Sequence, residues 1–192
     1  MADAFPRAAC WRHVGAREGF EALFPVRAVG GWRLEGWATA LEDGVAWGLR
    51  YAVVLDDQGR AREARIESRH GAGVSVVDIE GDGAGAWLVD GAPAPHLDGC
   101  LDVDLEGSAF TNAFPVRRLA LAEGGRADAP AAWVRSPRLE VERLDQRYAR
   151  LPDAGGLTRY DYDSPGVGFT AVLVFDEHGL VIDYPGIAVR TG

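Results

Sequence analysis

The stretch Phe169-Thr-Ala-Val-Leu-Val-Phe-Asp-Glu-His-Gly-Leu-Val-Ile-Asp-Tyr184 is two apolar, β-branched runs around the polar tetrad Asp176-Glu-His-Gly179. Runs of this length bounded by a Gly that tolerates positive φ read as a strand, a tight turn and a strand. Far upstream, Tyr51-Ala-Val-Val-Leu-Asp-Asp-Gln-Gly59 repeats the pattern: an apolar run, then Asp, an acidic residue, a polar residue and Gly. Two ordinary hairpins with the same turn chemistry would produce this echo. So would two related β-halves wound around one core.

The same punctuation recurs along the chain. The 25 Gly and 10 Pro of the 192 residues interrupt it at short intervals, the spacing of many short strands joined by turns. Further strand signals lie at 74–79, 86–89, 101–105 and 116–121. In the 101–105 run, Leu101, Val103 and Leu105 alternate with Asp102 and Asp104 at the period of two of a half-buried strand. Helical periodicity is scarce: 18–24 is the best candidate, and 138–151 reads either way. Residues 124–130 read as a long surface loop. The expectation is an all-β fold, a rolled antiparallel sheet, with residues 1–192 forming a single domain.

Composition excludes several classes. The chain carries 20 Lys+Arg against 29 Asp+Glu, a net charge of -9. It has no basic stripe for phosphate neutralisation, so nucleic acid is not an expected partner. Stable membrane association is not expected either, because anionic leaflets repel acidic surfaces. All the basic residues are Arg, which removes Schiff-base and P-loop chemistry. The start shows no charged region followed by an apolar one, and no run approaches transmembrane length, so a cytoplasmic location is expected.

Local motifs fail on inspection. Gly81-Asp-Gly-Ala-Gly-Ala86 lacks the following helix that a phosphate loop needs and reads as a tight turn. Asp102-Val-Asp-Leu-Glu-Gly107 opens like a calcium loop, but Ala113 stands where the bidentate Glu belongs. Cys10 and Cys100 are too few for a disulfide framework. His13, His70, His96 and His178 have no metal-ligand spacing and read as surface or turn residues. No metal, cofactor or catalytic residue is assigned.

One stretch carries a resemblance: Asp102-Val-Asp-Leu105, then Phe110-Thr-Asn112, then Pro115-Val-Arg-Arg-Leu119. Supporting matches are 51–56, Gly85-Ala-Trp87, Gln146-Arg-Tyr148 and 179–186. This pattern resembles the bacterial family of putative glycolipid-binding proteins, a domain of unknown function, over roughly residues 32–190. The resemblance implies a spiral β-roll and an amphipathic small molecule or glycolipid as partner, bound without catalysis. Ala113-Phe114 departs from the family pattern.

If 100–106 and 116–122 pair as strands, Arg117 falls on the apolar face with Leu119 and Leu121, while Arg118 faces Asp102 and Asp104. Those charges form a cross-strand ladder or line a polar opening for a phosphate or sugar headgroup. The candidate ligand-binding residues are Asp102, Asp104, Thr111, Asn112, Arg117, Arg118, Tyr148 and Tyr184. Trp32, Trp37, Trp47 and Trp87 read as core or cross-strand partners, or as sugar-stacking faces. Two other classes stand beside the binding module. One is an enzyme using an Asp/Arg/Tyr cluster on a small polar substrate; the other is an interaction protein using sheet edges. The oligomeric state is left open.

Overall fold

The structure, a computed structural model, describes residues 4–192. Its first half is a meander of long antiparallel strands: β1 (Ala9–His13), β2 (Arg17–Ala28), β3 (Gly31–Glu42), β4 (Val45–Asp56), β5 (Ala61–His70) and β6 (Gly73–Gly81). Two short strands, β7 (Trp87–Val89) and β8 (Ala92–Pro93), end that side. The middle holds β9 (Asp102–Leu105), a 3-10 turn at Phe110–Asn112, helix α1 (Ala113–Leu119), β10 (Arg126–Asp128), β11 (Ala131–Val134) and β12 (Val141–Leu144). The last third returns to the meander with β13 (Arg147–Ala154), β14 (Leu157–Ser164), β15 (Phe169–Phe175), β16 (Val181–Tyr184) and β17 (Ala188–Arg190).

Fourteen strands form one sheet, in the order β10-β13-β14-β15-β16-β17-β1-β2-β3-β4-β5-β6-β7-β8. The seam is β1 against β17, pairing Trp11 with Arg190 and His13 with Ala188. The edge strands are two and three residues long, which leaves little unpaired backbone to template aggregation. The expected all-β fold, a rolled antiparallel sheet, is present. The roll is open, since its edge strands do not pair.

A second sheet, β12-β11-β9, and the helical segment fill the roll. Phe110 and Phe114 belong to the core with Trp11, Leu23, Tyr51, Ile66 and Ile79 from the first half. Val116 sits instead with Tyr148, Tyr160, Leu173 and Phe175 from the last third. The helix is therefore the plug between the two sides of the sheet. Gly36 shows how close the packing is: a Cβ there would lie 2.2 Å from the Tyr51 ring.

Three expectations are corrected, and one left open is decided. Residues 18–24 are strand, within β2, and not helix. Residues 138–151, which read either way, leave a turn and continue as strands β12 and β13. The loop at 124–130 contains β10, paired with β13.

The main correction concerns 113–119, which is helix. The spacing Phe110, Ala113, Phe114 is i, i+3, i+4, and all three are buried. That spacing makes one apolar stripe on a helix, and Pro115 is tolerated in the first turn, where no N–H is needed. The 100–106/116–122 ladder does not exist. β9 instead runs parallel to β11, Asp102 beside Ala131 and Asp104 beside Trp133. All four β9 residues are buried, as parallel strands commonly are.

The 51–59 and 171–179 echo is the same turn built twice. In each, the Asp Oδ1 accepts backbone N–H bonds two and four residues on: Gln58 and Arg60 to Asp56, and His178 and Leu180 to Asp176. Gly59 and Gly179 close the turns at φ 77° and 73°. Both turns meet α1. Arg117 Nη1 donates to the His178 carbonyl, and Gly59 faces the base of the Arg118 side chain.

Candidate functional site

The helical plug is clamped at both ends by buried carboxylates. At its start, Glu21 on β2 accepts bonds from Tyr51 Oη at 2.7 Å, Ser108 Oγ at 2.5 Å and Ala109 N at 2.7 Å. Burial pushes the Glu21 carboxyl up to about 7, against those donors. At its end, Arg118 makes a two-point pair with Asp102, Nε to Oδ1 at 3.1 Å and Nη2 to Oδ2 at 2.5 Å. Asp102 is 1% exposed. Burial raises its pKa, and the Arg118 bonds oppose the rise.

Between the clamps lies a polar network. Asp104 accepts from Thr111 Oγ1 at 2.8 Å and from Gln146 Nε2 at 2.5 Å. Gln146 Nε2 also reaches Tyr162 Oη at 3.1 Å. Tyr148 Oη donates to Asn112 Oδ1 at 2.7 Å, and the Tyr184 ring meets the Tyr162 ring edge to face at 6.3 Å. Burial lifts Asp104 to about 6, opposed by its Thr111 and Gln146 bonds. The Tyr148, Tyr162 and Tyr184 hydroxyls are raised, first by burial, so they remain protonated donors.

This network floors a cavity of about 380 Å³. Asp104, Asn112, Tyr162 and Tyr184 form its polar side; Leu105, Leu144, Val167 and Ile187 are apolar; Trp133 and Phe169 also line it. Its two cations are already neutralised. Arg17 lies 3.3 Å from Glu42, and Arg135 lies 3.6 Å from both Glu106 and Glu142. The cavity thus offers hydroxyl, amide and carboxyl groups beside aromatic faces without surplus positive charge, a surface suited to an uncharged, hydroxyl-rich group.

The eight candidate residues fall into three places. Asp104, Asn112 and Tyr184 line this cavity. Thr111 and Tyr148 stand behind it, bonded to Asp104 and Asn112. Asp102, Arg117 and Arg118 are at the far end of the helix. Asp104 does not face Arg118, as a strand ladder would require. Arg117 is half-buried, its guanidinium 3.9 Å from the Phe5 ring centroid, and not on an apolar strand face.

Sequence reasoning missed Gln146, Tyr162, Trp133 and Phe169. The alternation Gln146/Tyr148 and Tyr160/Tyr162 could have found two of them, since Tyr148 and Tyr162 are cross-strand partners. His13 is corrected from surface to core. It is 3% exposed and its pKa is lowered to about 4, first by burial and then by Arg17. The 81–86 loop is the expected tight turn, with Asp82 Oδ1 accepting from the N–H groups of Ala84, Gly85 and Ala86. Among the described residues no three His, Cys, Asp or Glu side chains are grouped to hold a metal, and no helix is long and apolar enough to cross a membrane.

Residues 8–190 match the family model described as "Putative glycolipid-binding". The chain belongs to that family. A crystal structure of a DUF1089 family protein from Pseudomonas aeruginosa is 40% identical, covering 89% of this chain and 91% of that one, with a TM-score of 0.78. A β-barrel-like protein of the domain of unknown function DUF1849 from Brucella abortus, 9% identical, covers 95% and 93% with a TM-score of 0.53. That second likeness extends to fold alone. No curated protein matches the sequence.

Proposed function

We propose that the protein binds an amphipathic, sugar-bearing small molecule, placing the headgroup in the Asp104 cavity. Asp104 and Asn112 accept from sugar hydroxyls, Tyr162 and Tyr184 donate, and Trp133 offers a stacking face. The observation that carries this reading is the polar floor opposite an apolar wall in one cavity, and the family description agrees with it. At about 380 Å³ the cavity lies at the lower end of the ~300–1,000 Å³ of small-molecule sites. It has room for a headgroup and the start of a chain, with the remainder of a lipid outside.

The test is calorimetric titration with octyl β-glucoside below its micelle concentration, with glucose and octanol as separate arms. The glycoside should bind more tightly than either half, and Asp104→Asn should weaken it several-fold. Equal binding of octanol and the glycoside, or no effect of Asp104→Asn, would overturn the assignment of the headgroup. One observation favours a second reading: a carboxyl held at about 6 beside tyrosines is equipped for proton transfer. Under that reading the glycoside would be consumed on incubation, which chromatography of the mixture detects.

A further inference from the structure

The outer face of β2–β4 is the reverse of the sheet surface that receives the helical plug. Alternation along β2 puts Phe20, Phe24 and Val26 on it, and β3 adds Trp37 and Leu41. An antiparallel sheet packed on one side only normally keeps its other face polar. Here Phe20 is 61% exposed and Trp37 44%. The patch is continuous: the Phe24 and Trp37 rings meet edge to face at 5.8 Å, and Trp37 pairs across the strands with Ala22. With whole aromatic side chains of about 150–250 Å², these five residues expose about 500 Å² of apolar surface, the size of patch that marks an interaction site.

The relief of this face is self-complementary. Phe20 and Phe24 make a ridge on β2. Two strands away, the outward positions Ala46, Gly48 and Ala52 of β4 make a trough, and the Arg50 between them lies back over the Trp37 ring at 5.9 Å. Ridge and trough are in register. Thr39 Oγ1 hydrogen-bonds the Phe20 backbone and Thr39 pairs with Gly48; Phe24 pairs with Glu35, which pairs with Ala52. A two-fold axis along β3 therefore sets Phe20 of one protomer over Gly48 of the other and Phe24 over Ala52, with Trp37 at the centre against its own copy. The two sheets would then pack face to face, as in a sandwich. The charges of the face balance, Arg33 and Arg50 against Glu18 and Glu35, on a chain of net charge -9. Glu35, which the axis brings near its own copy, is paired with Arg33 at 2.7 Å. An apolar area of about 500 Å² matches the ~65% apolar share of the ~800 Å² that each partner gives a standard interface. An anionic membrane suits the face less well, because it repels the acidic chain around the patch. We propose that this face is the interface of a symmetric dimer, its occupant a second copy of the chain. The inference is independent of the Asp104 cavity, which is lined from the inner side of the sheet.

The test is sedimentation velocity of the full chain over a dilution series from submillimolar to submicromolar, with Phe20→Asp and Gly48→Ile as variants. Phe20 is exposed, and a Cβ at Gly48 would meet only the Ala38 carbonyl oxygen, at 3.6 Å. Both variants should therefore fold as the wild type does, which far-UV circular dichroism and urea midpoints check. The wild-type chain should sediment as a dimer that dissociates on dilution. Phe20→Asp should weaken the dimer by about tenfold or more, since it buries a charge in the seam twice over. Gly48→Ile makes the face more apolar yet fills the trough, so it should weaken the dimer as well. A wild-type monomer at every concentration, a dimer unaffected by Phe20→Asp, or a dimer not weakened by Gly48→Ile would overturn the proposal. So would a monomer that floats with phosphatidylglycerol vesicles and loses that binding in Phe20→Asp, which would assign the face to a membrane.

Discussion

Adjacent arginines in this chain do different physical work. Arg118 neutralises a carboxylate that is 1% exposed, so Arg118→Ala strands a buried charge, a change that costs about 3–5 kcal/mol. Part of that loss should be relieved at low pH, where Asp102 can take up a proton. Arg117→Ala removes a stacked guanidinium and a bond to a backbone carbonyl, so a smaller loss of about 1–2 kcal/mol is expected. Urea denaturation of the two variants checks the order; equal losses would contradict it.

Glu21 and Asp104 give a pH dependence whose sign follows from burial. Their folded pKa values, about 7 and about 6, lie above their unfolded ones. Their contribution to stability is therefore fully present below the unfolded pKa values and is lost as pH rises through about 6 and then about 7. The melting temperature should fall between about pH 5 and about pH 8, and Glu21→Gln should flatten that fall. An unchanged slope in the variant would show that another group sets it.

At the scale of elements, the twin turns make a matched prediction. Asp56→Ala and Asp176→Ala each remove an oxygen accepting two backbone N–H bonds, so each should cost about 1–2 kcal/mol by urea denaturation. A loss at one turn and none at the other would show that the equivalence is only geometric. These turns and the apolar runs beside them were legible in the sequence because their signals are local. The helix was not. Val116-Arg-Arg-Leu-Ala-Leu121 satisfies a strand period, and the deciding feature, the apolar stripe of Phe110, Ala113 and Phe114, matters only once a rolled sheet is there to receive it. Alternation also misled at β9, whose two faces are both buried. Asp102 and Asp104 look solvated in sequence, and their partners Arg118, Thr111 and Gln146 come from other elements. The site was half legible for the same reason: Asp104, Asn112 and Tyr184 stood out within or near the family signature, whereas Tyr162 and Trp133 reach the cavity only through strand pairing.

For the whole molecule, one open roll of fourteen strands closes on a helical plug, with the Asp104 cavity on its inner side and an exposed apolar face on its outer side. Under the proposed function, the Asp104 cavity receives a sugar-bearing headgroup. The most direct measurement is a chemical-shift map: backbone-assigned ¹⁵N spectra of the full chain recorded through a titration with octyl β-glucoside below its micelle concentration. Saturable shifts should concentrate at Asp104, Asn112, Trp133, Tyr162, Phe169 and Tyr184, with the outer face of β2–β4 unmoved. Shifts confined to the exposed Phe20, Phe24 and Trp37 on that outer face, or no saturable shift anywhere, would contradict it.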